Sequence, residues 1–187
     1  MSITESTLLR FFSGLAILLL VGSLSSCDPN RVYEKNKDIP DYQWKYDNVL
    51  AFPFSIKDTN ALYNIYVNVR HTHFFPYRNI WLKVKTQFPK GKQLEKRVEI
   101  KLANEKGKWY SDCAGDICDY RVAIQENAYF DQKGEYKIHL EQNMRQNPLP
   151  GIMDMGIRVE KTGKTKQELA NQGEKAAEDQ EDNGNLP

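Results

Sequence analysis

The stretch Tyr-Asn-Ile-Tyr-Val-Asn-Val-Arg, residues 63–70, sets the fold class of this 187-residue chain. Its apolar residues recur at every second position, with mostly polar residues between them. Successive side chains of a strand point to opposite faces, so this alternation predicts a strand with one face in a core and one toward solvent. Half-buried strands of this kind are typical of antiparallel sheets.

The same alternation recurs along the chain, in residues 50–56, 80–87, 97–102, 136–141 and 153–160. Turn-forming residues separate these segments, at 57–60, 89–92, 104–107 and 131–134. Regular strands and turns without a long amphipathic helix predict an all-β fold. We expect an antiparallel β-sandwich of seven or eight strands, for which a jelly roll is one suitable topology. Pro53 predicts an edge strand or a bulge, because proline has no N–H to donate.

Composition excludes several classes of function. The chain carries 26 Lys and Arg against 25 Asp and Glu, which argues against a nucleic-acid binder and against an acidic solvating chain. The hydrophobic content of 40% suffices for one packed core. The sequence contains no G-x-S-x-G, H-E-x-x-H, Walker or dinucleotide-binding motif. We therefore expect no enzyme, no cofactor and no small-molecule substrate.

Residues 1–26 have the features of a targeting signal. Arg10 precedes an apolar run from Phe11 to Leu24, which is too short to span a bilayer of about 30 Å. The run ends in Leu24-Ser25-Ser26-Cys27, and small residues directly before a cysteine resemble the lipobox of bacterial lipoproteins. That resemblance implies removal of residues 1–26 and acylation of Cys27, palmitate included. An ordinary cleaved signal followed by a chance cysteine is the alternative.

The rest of the chain divides by composition into three parts. Residues 27–41 are mostly polar with two prolines, and they predict a lipidated tether with at most a short strand at Val32-Tyr33. Residues 42–161 contain the alternating segments and predict the β-sandwich domain. Residues 162–187 contain no aromatic residue and too little apolar area to offset the entropy of ordering them. We expect a disordered charged tail there, with a weak helical tendency near residues 168–177.

Cys113 and Cys118 form a candidate disulfide. Four residues separate them, whereas zinc ribbons have two, and thiols outside the cytoplasm tend to oxidise. Two free thiols and a metal site remain the alternatives. His71 and His73 are two residues apart, so on a strand both imidazoles would point to one face. No third ligand is evident in the sequence, and we predict no metal site.

Two further groups carry weaker signals. Asp112, Asp116 and Asp119 lack the spacing of a calcium loop, so we expect hydrogen bonds within the loop, with Asp116 or Asp119 pairing with Arg121. A second alternation would place three aromatic side chains on one strand face, either as core and rim packing or as an exposed platform for a glycan. These are Tyr42, Trp44 and Tyr46.

Four stretches of sequence are specific when taken together. They are C-D-P-N-R-V-Y (27–33), F-P-Y-R-N-I-W-L (75–82), G-D-I-C-D-Y-R (115–121) and P-L-P-G-I-M-D-M-G (148–156). In this order they resemble the gliding motility lipoprotein family GldH, over about residues 27–160. The resemblance implies a non-enzymatic envelope lipoprotein that supports gliding motility and type IX secretion, without any catalytic or ligand residue. It also implies anchoring in the outer membrane, on the periplasmic face or at the cell surface.

The last two stretches suggest a surface for other gliding and secretion proteins. Pro148 and Pro150 fix the backbone on either side of Leu149 and remove two donors. Leu149 either plugs the open end of the sandwich or is presented to a partner beside Asp116 and Arg121, where a pre-ordered loop loses little entropy on binding. A carbohydrate-binding surface lipoprotein is the alternative function, and a small envelope enzyme is a third.

Replacing Cys27 tests the anchor. We expect Cys27→Ser to leave unprocessed or soluble protein, because several acyl chains are needed for stable membrane attachment. Detergent phase partitioning of the wild type and the variant measures this. An unchanged membrane fraction for the variant would contradict the lipobox interpretation.

Overall fold

A computed structural model of the chain describes residues 28–171. The predicted signal peptide, Cys27 and residues 172–187 lie outside this range. The described part contains a 3-10 turn at Pro40–Tyr42, a short helix at residues 166–171, and eleven strands. The strands are β1 (Arg31–Asp38), β2 (Gln43–Trp44), β3 (Leu50–Ile56), β4 (Ala61–Thr72), β5 (Asn79–Gln87), β6 (Gln93–Lys101), β7 (Asp112–Ala114), β8 (Ile117–Ala128), β9 (Gly134–Gln142), β10 (Leu149–Pro150) and β11 (Ile152–Thr165). Among the described residues, no helix is long and apolar enough to cross a membrane.

The strands form two antiparallel sheets that share one core. The first sheet has the order β1-β11-β4-β8-β7 and the second has the order β3-β9-β5-β6, while β2 and β10 pair as a small ribbon. Apart from the short strands β2, β7 and β10, consecutive strands alternate between the sheets except at the β5–β6 hairpin. This strand order is that of a jelly roll. The prediction of an all-β antiparallel sandwich is confirmed.

The core consists of the apolar positions of the alternating segments. Phe52, Leu82 and Ile138 come from the second sheet, and Val67 and Ile157 come from the first; each is at most 1% exposed. Their burial on the two inner faces supplies the main favourable term in folding. Pro53 lies on β3, which is an edge strand of the second sheet, as its missing N–H predicts.

The amino-terminal boundary of the domain lies earlier than the sequence suggests. Residues 31–38 are not part of a tether: they form β1, which pairs with β11 from Arg31 to Asp38. Tyr33 is the apolar side chain that this strand packs against the core, and Lys37 Nζ lies 5.7 Å from the ring centre of Phe52. An edge strand with one apolar contact shows no clear alternation of apolar and polar residues. The sequence therefore indicates at most a short strand at Val32-Tyr33.

The carboxy-terminal boundary also moves. Residues 162–165 complete β11, and Thr165 pairs with Ala61 of β4. The Lys166 N–H then donates to the Asn60 carbonyl oxygen at 2.9 Å. The expectation of disorder is therefore wrong for residues 162–171. Backbone hydrogen bonds order this segment, although it has almost no apolar side chains.

The long strands run between two ends of the sandwich, and these ends differ. Three of the four stretches named above begin at one end and continue into a strand; this end, here called the motif end, comprises residues 39–49, 72–78, 102–116 and 143–151. The chain enters from residue 27 at the opposite end, here called the anchor end, which comprises residues 28–30, 57–60, 88–92, 129–133 and 161–171. Strands such as β5 with nine residues and β4 with twelve separate the ends by about 30–40 Å.

Two truncations test the corrected boundary. A chain that ends after Lys161 loses the Lys166–Asn60 bond and the bond from Thr162 Oγ1 to the Leu62 carbonyl oxygen. We expect its free energy of unfolding to fall by about 2 kcal/mol, at about 1 kcal/mol per hydrogen bond. A chain that ends after Asn171 keeps these bonds and is the control. Equal denaturant midpoints for the two truncated chains would contradict the assignment.

Candidate functional site

A polar cleft of about 320 Å³ lies on the outer face of the first sheet. Adjacent strands supply its lining, because the outward positions of β1, β11, β4 and β8 carry polar side chains where the inward positions carry apolar ones. The lining residues that matter below are Glu34, Asn36, Asn68, Arg70, Asp119, Arg121 and Asp154. Asp119 and Arg121 belong to the stretch 115–121, and Asp154 belongs to the stretch 148–156.

Gly156 forms the floor of the polar cleft. It lies in register with Asn36 of β1 on one side and with Asn68 of β4 on the other. A Cβ atom at this position would lie 1.9 Å from Asn36 Oδ1. The missing side chain lets Asn68 Nδ2 donate to Asn36 Oδ1 across the strand at 3.1 Å. A glycine inside a strand often marks a close approach of this kind.

Arg158 and Arg121 converge on Glu34. Arg158 has a side chain only 10% exposed, and it pairs with Glu34 at 2.7 Å, with Glu160 at 2.6 Å and with Asp28. Burial acts to raise the pKa of Glu34, but hydrogen bonds from Arg158 and Asn68 outweigh it and hold that pKa below its usual value. Burial likewise acts to lower the pKa of Arg158, and its three carboxylate partners reverse the effect. Both side chains therefore stay charged at neutral pH.

Asp154 is the least satisfied group in the polar cleft. It is 4% exposed, and its Oδ2 lies 3.2 Å from Arg70 Nη1. Its other oxygen, Oδ1, has no hydrogen-bond partner among the described residues. Arg70 also donates from Nε to Asp119 Oδ1 at 2.7 Å. Burial raises the pKa of the Asp154 carboxyl, and the charge of Arg70 offsets only part of that effect.

The sequence expectation for Arg121 is wrong in its partner. Arg121 pairs with Glu34 and donates from Nε to Asn68 Oδ1, while Asp119 pairs with Arg70. Asp119 and Arg121 project from the outer face of β8, but Asp116 lies in the turn before that strand. Asp116 is exposed, and its carbonyl oxygen accepts the His73 N–H at 2.8 Å. Asp116 therefore belongs to the motif end rather than to the polar cleft.

Cys113 and Cys118 face each other across the β7–β8 hairpin, and their sulfur atoms are bonded at 2.03 Å. His73 Nδ1 lies 4.0 Å from Cys118 Sγ. These three residues are close enough together to hold a metal ion. A closed disulfide offers no thiolate, however, and a thiolate is the form of cysteine that binds zinc. The arrangement here is a bridged hairpin with a histidine beside it.

His71 and His73 differ in exposure, although both lie against Trp109, with ring centres 4.6 Å and 6.5 Å from its ring centre. His71 is fully buried: Nδ1 donates to the Thr72 carbonyl oxygen at 2.9 Å, and Nε2 accepts from the Ser111 hydroxyl at 2.8 Å. Because a carbonyl only accepts, this pattern fixes the proton on Nδ1. Burial lowers the pKa of His71 and keeps the imidazole neutral. His73 lies just beyond the end of β4 and is exposed. The two histidines thus lie at one strand end against the same tryptophan, but only His73 is accessible to solvent.

The structure decides the alternatives left open for the aromatic residues and for Leu149: Trp44 and Leu149 are core residues, and the three aromatic side chains form no row on one face. Trp44 is fully buried, donates from Nε1 to the Asn48 carbonyl oxygen at 2.8 Å, and pairs in register with Leu149. Tyr42 and Tyr46 are exposed, so no flat platform that includes Trp44 is available to a glycan. Leu149 is also fully buried and closes the motif end against the core. Strand β2 is only two residues long, which is too short for the alternation to hold.

Exposed apolar side chains are concentrated at the motif end instead. Phe74 is 76% exposed, Tyr110 is 50% exposed and Ile117 is 42% exposed. The Phe74 ring lies 5.9 Å from the His73 ring, Ile117 directly follows Asp116 in the chain, and Tyr110 stacks on Tyr120 of β8 at 6.3 Å. We call Phe74, Tyr110, Ile117, His73 and Asp116 the motif-end patch. Ile117 pairs with Thr72 in register, two residues before Phe74. Large exposed apolar side chains near specific loops are typical of protein interaction sites.

Comparison with known proteins agrees with the resemblance noted above. The family model described as GldH lipoprotein matches residues 31–159. The gliding motility lipoprotein GldH homolog of Christiangramia forsetii is 30% identical over 158 residues, which is 81% of this chain and 96% of the relative. The gliding motility lipoprotein GldH of Flavobacterium johnsoniae is 31% identical over 155 residues, which is 79% and 95% of the two chains.

Among solved structures, the infectious bursal disease virus VP2 subviral particle matches with a TM-score of 0.30 and 13% identity. This match covers 73% of this chain and 35% of that chain. A score this low does not indicate a shared fold.

The pH dependence of Asp154 tests the electrostatics of the polar cleft. Its pKa is higher in the folded state than in the unfolded state, so the folded state binds more protons in the range above about pH 4. The contribution of Asp154 to stability therefore falls as the pH rises through that range. We expect Asp154→Asn to match the wild-type Tm near pH 4 and to equal or exceed it at pH 7.

Asp119→Asn is the matched control, because it removes the exposed carboxylate partner of the same Arg70. We expect its Tm to stay close to that of the wild type at both pH values, since exposed ion pairs contribute little. A lower Tm for Asp154→Asn at pH 7 than for wild type would show instead that attraction to Arg70 outweighs burial.

Proposed function

This chain belongs to the GldH lipoprotein family, and from that membership we propose that it is a gliding motility lipoprotein anchored through Cys27. We further propose that the anchor lies in the outer membrane and that the sandwich domain acts without catalysis. In this proposal it supports gliding and the associated type IX secretion by binding other envelope proteins. The motif-end patch is the surface that we assign to this contact.

The observation that carries the proposal is the position of the four stretches. Stretch 27–33 includes Cys27 and enters the domain at the anchor end, whereas stretches 75–82, 115–121 and 148–156 meet at the motif end. In this proposal, membrane attachment and the most specific loops lie at opposite ends of the sandwich. This arrangement suits a protein that holds a binding surface away from the membrane.

The composition of the motif-end patch supports protein contact. Aromatic residues are enriched at the centres of protein interfaces, and exposed Phe74 and Tyr110 fit that composition. Charge at the motif end is balanced, with five basic and five acidic side chains. Recognition there would therefore depend on apolar contact more than on long-range attraction.

The motif-end patch is held in place by short connections. The His73 N–H donates to the Asp116 carbonyl oxygen, and the Thr72 N–H donates to the Gly151 carbonyl oxygen, both at 2.8 Å. The Cys113–Cys118 bridge closes the hairpin beside them. A surface ordered before binding loses less entropy when a partner arrives.

The polar cleft supports recognition rather than catalysis. Among its described lining residues there is no serine, cysteine, histidine or lysine. Most of its charged side chains are already paired: Glu34 pairs with Arg121 and Arg158, and Arg70 pairs with Asp119 and Asp154. Asp154 Oδ1 remains as an acceptor for an N–H donor, which is a binding rather than a reactive role.

Phe74→Ala tests the assignment. Phe74 is largely exposed, so its removal should change the Tm by only a degree or two. We expect gliding and the release of type IX cargo to fall strongly, because truncating a central aromatic in an interface removes a large share of binding energy. Colony spreading, cargo in the medium and the amount of protein in the membrane fraction are the measurements.

Leu94→Ala is the matched control. Leu94 is 45% exposed on β6, away from the motif end, and its truncation should leave gliding intact. If Phe74→Ala glides and secretes normally at the wild-type protein level, the motif-end patch is not the partner surface. Equal loss of gliding in both variants would also contradict the assignment.

A further inference from the structure

We propose that the anchor end of the sandwich is a docking surface for anionic phospholipid headgroups, so that the domain sits directly on the membrane in one orientation. This inference rests on the proposed lipid anchor at Cys27 and adds to it the face that the domain turns toward the lipid. Three observations carry it: the length of the attachment, the charge of the anchor end and the exposed tyrosine at its surface.

The residue directly after the proposed anchor Cys27 is already bound to the domain. Asp28, the residue after Cys27, pairs with the half-buried network of Arg158 on β11. The Arg31 N–H donates to the Asp28 carbonyl oxygen at 3.2 Å, and the Lys161 N–H donates to the Asn30 carbonyl oxygen at 2.8 Å. Consecutive Cα atoms are about 3.8 Å apart. A lipid on Cys27 therefore lies within one residue of the folded sheet.

The loops around this attachment form one surface. Lys161 Nζ pairs with Asp58 at 2.8 Å, which joins the end of β11 to the β3–β4 loop. Lys166 Nζ lies 3.7 Å from Asp131 and 4.8 Å from the ring centre of Tyr129, which joins residues 161–171 to the β8–β9 loop. Lipid attachment at Cys27 would therefore bring the β3–β4 loop, the β8–β9 loop and residues 161–171 to the membrane together with Asp28.

This surface is basic, and the opposite end is not. The anchor end carries seven lysines against four acids, whereas the motif end is balanced. Three of the four acids already pair with a basic residue, namely Asp28, Asp58 and Asp131. Among the described residues, five lysines of the anchor end make no ion pair and are exposed: Lys57, Lys90, Lys92, Lys133 and Lys164. Exposed lysines have positive charges on flexible side chains, so they can pair with the negatively charged phosphates of mobile lipid headgroups.

Tyr129 adds an interfacial side chain to this surface. It is 59% exposed and lies beside Lys166. Tyrosine is enriched at membrane–water boundaries, because its ring prefers the headgroup region while its hydroxyl stays hydrated. An exposed tyrosine among lysines is therefore well suited to an anionic lipid surface.

Because the proposed lipid anchor already holds the domain at the membrane, weak attraction between its lysines and the headgroups is enough to orient it. A headgroup layer held within a few ångströms acts as a highly concentrated ligand, so each lysine need contribute little. Attraction between exposed charges also decays within about 10 Å at 0.1 M salt. Only the end next to Cys27 lies within that range, since the motif end is about 30–40 Å away.

Lipid quenching of tryptophan measures the orientation. The native Trp44, Trp81 and Trp109 all lie at or near the motif end and serve as an internal reference. The lipidated full-length chain carrying Tyr129→Trp is reconstituted into vesicles of 30% phosphatidylglycerol in brominated phosphatidylcholine. We expect the added tryptophan to be quenched strongly and the three native ones to be unaffected.

Charge reversal measures the role of the headgroups. We expect Lys90→Glu, Lys92→Glu and Lys133→Glu together to reduce quenching at position 129 by about twofold or more, as should 0.5 M salt or vesicles of phosphatidylcholine alone. The matched control reverses three exposed lysines of the motif end: Lys45→Glu, Lys106→Glu and Lys108→Glu. This control should quench like the parent.

Two results would overturn the inference. One is an added tryptophan that is quenched no more than the native ones; the other is quenching that does not respond to lysine reversal, salt or phosphatidylglycerol. Flotation of the same vesicles separates these failures from failure of the anchor. Protein that floats without quenching at position 129 contradicts only the docking surface, whereas protein that does not float contradicts the lipid anchor and the docking surface together.

Discussion

The ion pairs of Arg158 are the interactions on which the shape of this domain depends. Its guanidinium is nearly buried on the outer face of β11, where an unpaired charge would be strongly destabilising. It is satisfied by Asp28 just before β1, by Glu34 on β1 and by Glu160 on its own strand. Strand β1 contributes little to the core, so these contacts and its ladder to β11 hold it in the first sheet. Asp28, the first residue that the structure describes, is therefore already bound to the sheet.

The chain enters the sandwich at one end, and the two ends differ in chemistry. One end receives the chain next to Cys27 and has a surplus of lysine, and the other end has balanced charge and most of the exposed aromatic side chains. The polar cleft lies between them on the outer face of the first sheet. Jelly-roll topology produces the separation, since every long strand runs from one end to the other.

The core could be predicted from the sequence because each central strand buries one face. Alternation identified Phe52, Leu82 and Ile157 as core residues, and all three are buried. It did not identify the full lengths of β1 and β8, since a strand near a sheet edge is half-exposed on both faces and shows no clear period. Whether Trp44 was a core or an exposed residue could not be decided from the sequence, because alternation has no meaning in a two-residue strand.

The polar cleft was only partly visible in the sequence. Asp154, Gly156 and Arg158 occupy outward positions of β11, so their polarity looked like that of any solvated face. Their burial comes from β1, whose side chains cross over Gly156 and cover them. A glycine flanked at two-residue spacing by charged residues inside a strand was the available signal. Its meaning depended on a neighbouring strand that the pattern did not reveal.

The direct entry of the chain into β1 has a mechanical consequence. A pull between the membrane and a partner at the motif end would act along the strands, because attachment and contact lie at opposite ends of the same sheet. Strand β1 would then be sheared along β11, and all the hydrogen bonds of that ladder would share the load instead of opening one after another. The ion pairs of Arg158 lie across the same sliding plane. The domain is thus stiff under tension along the direction of its strands.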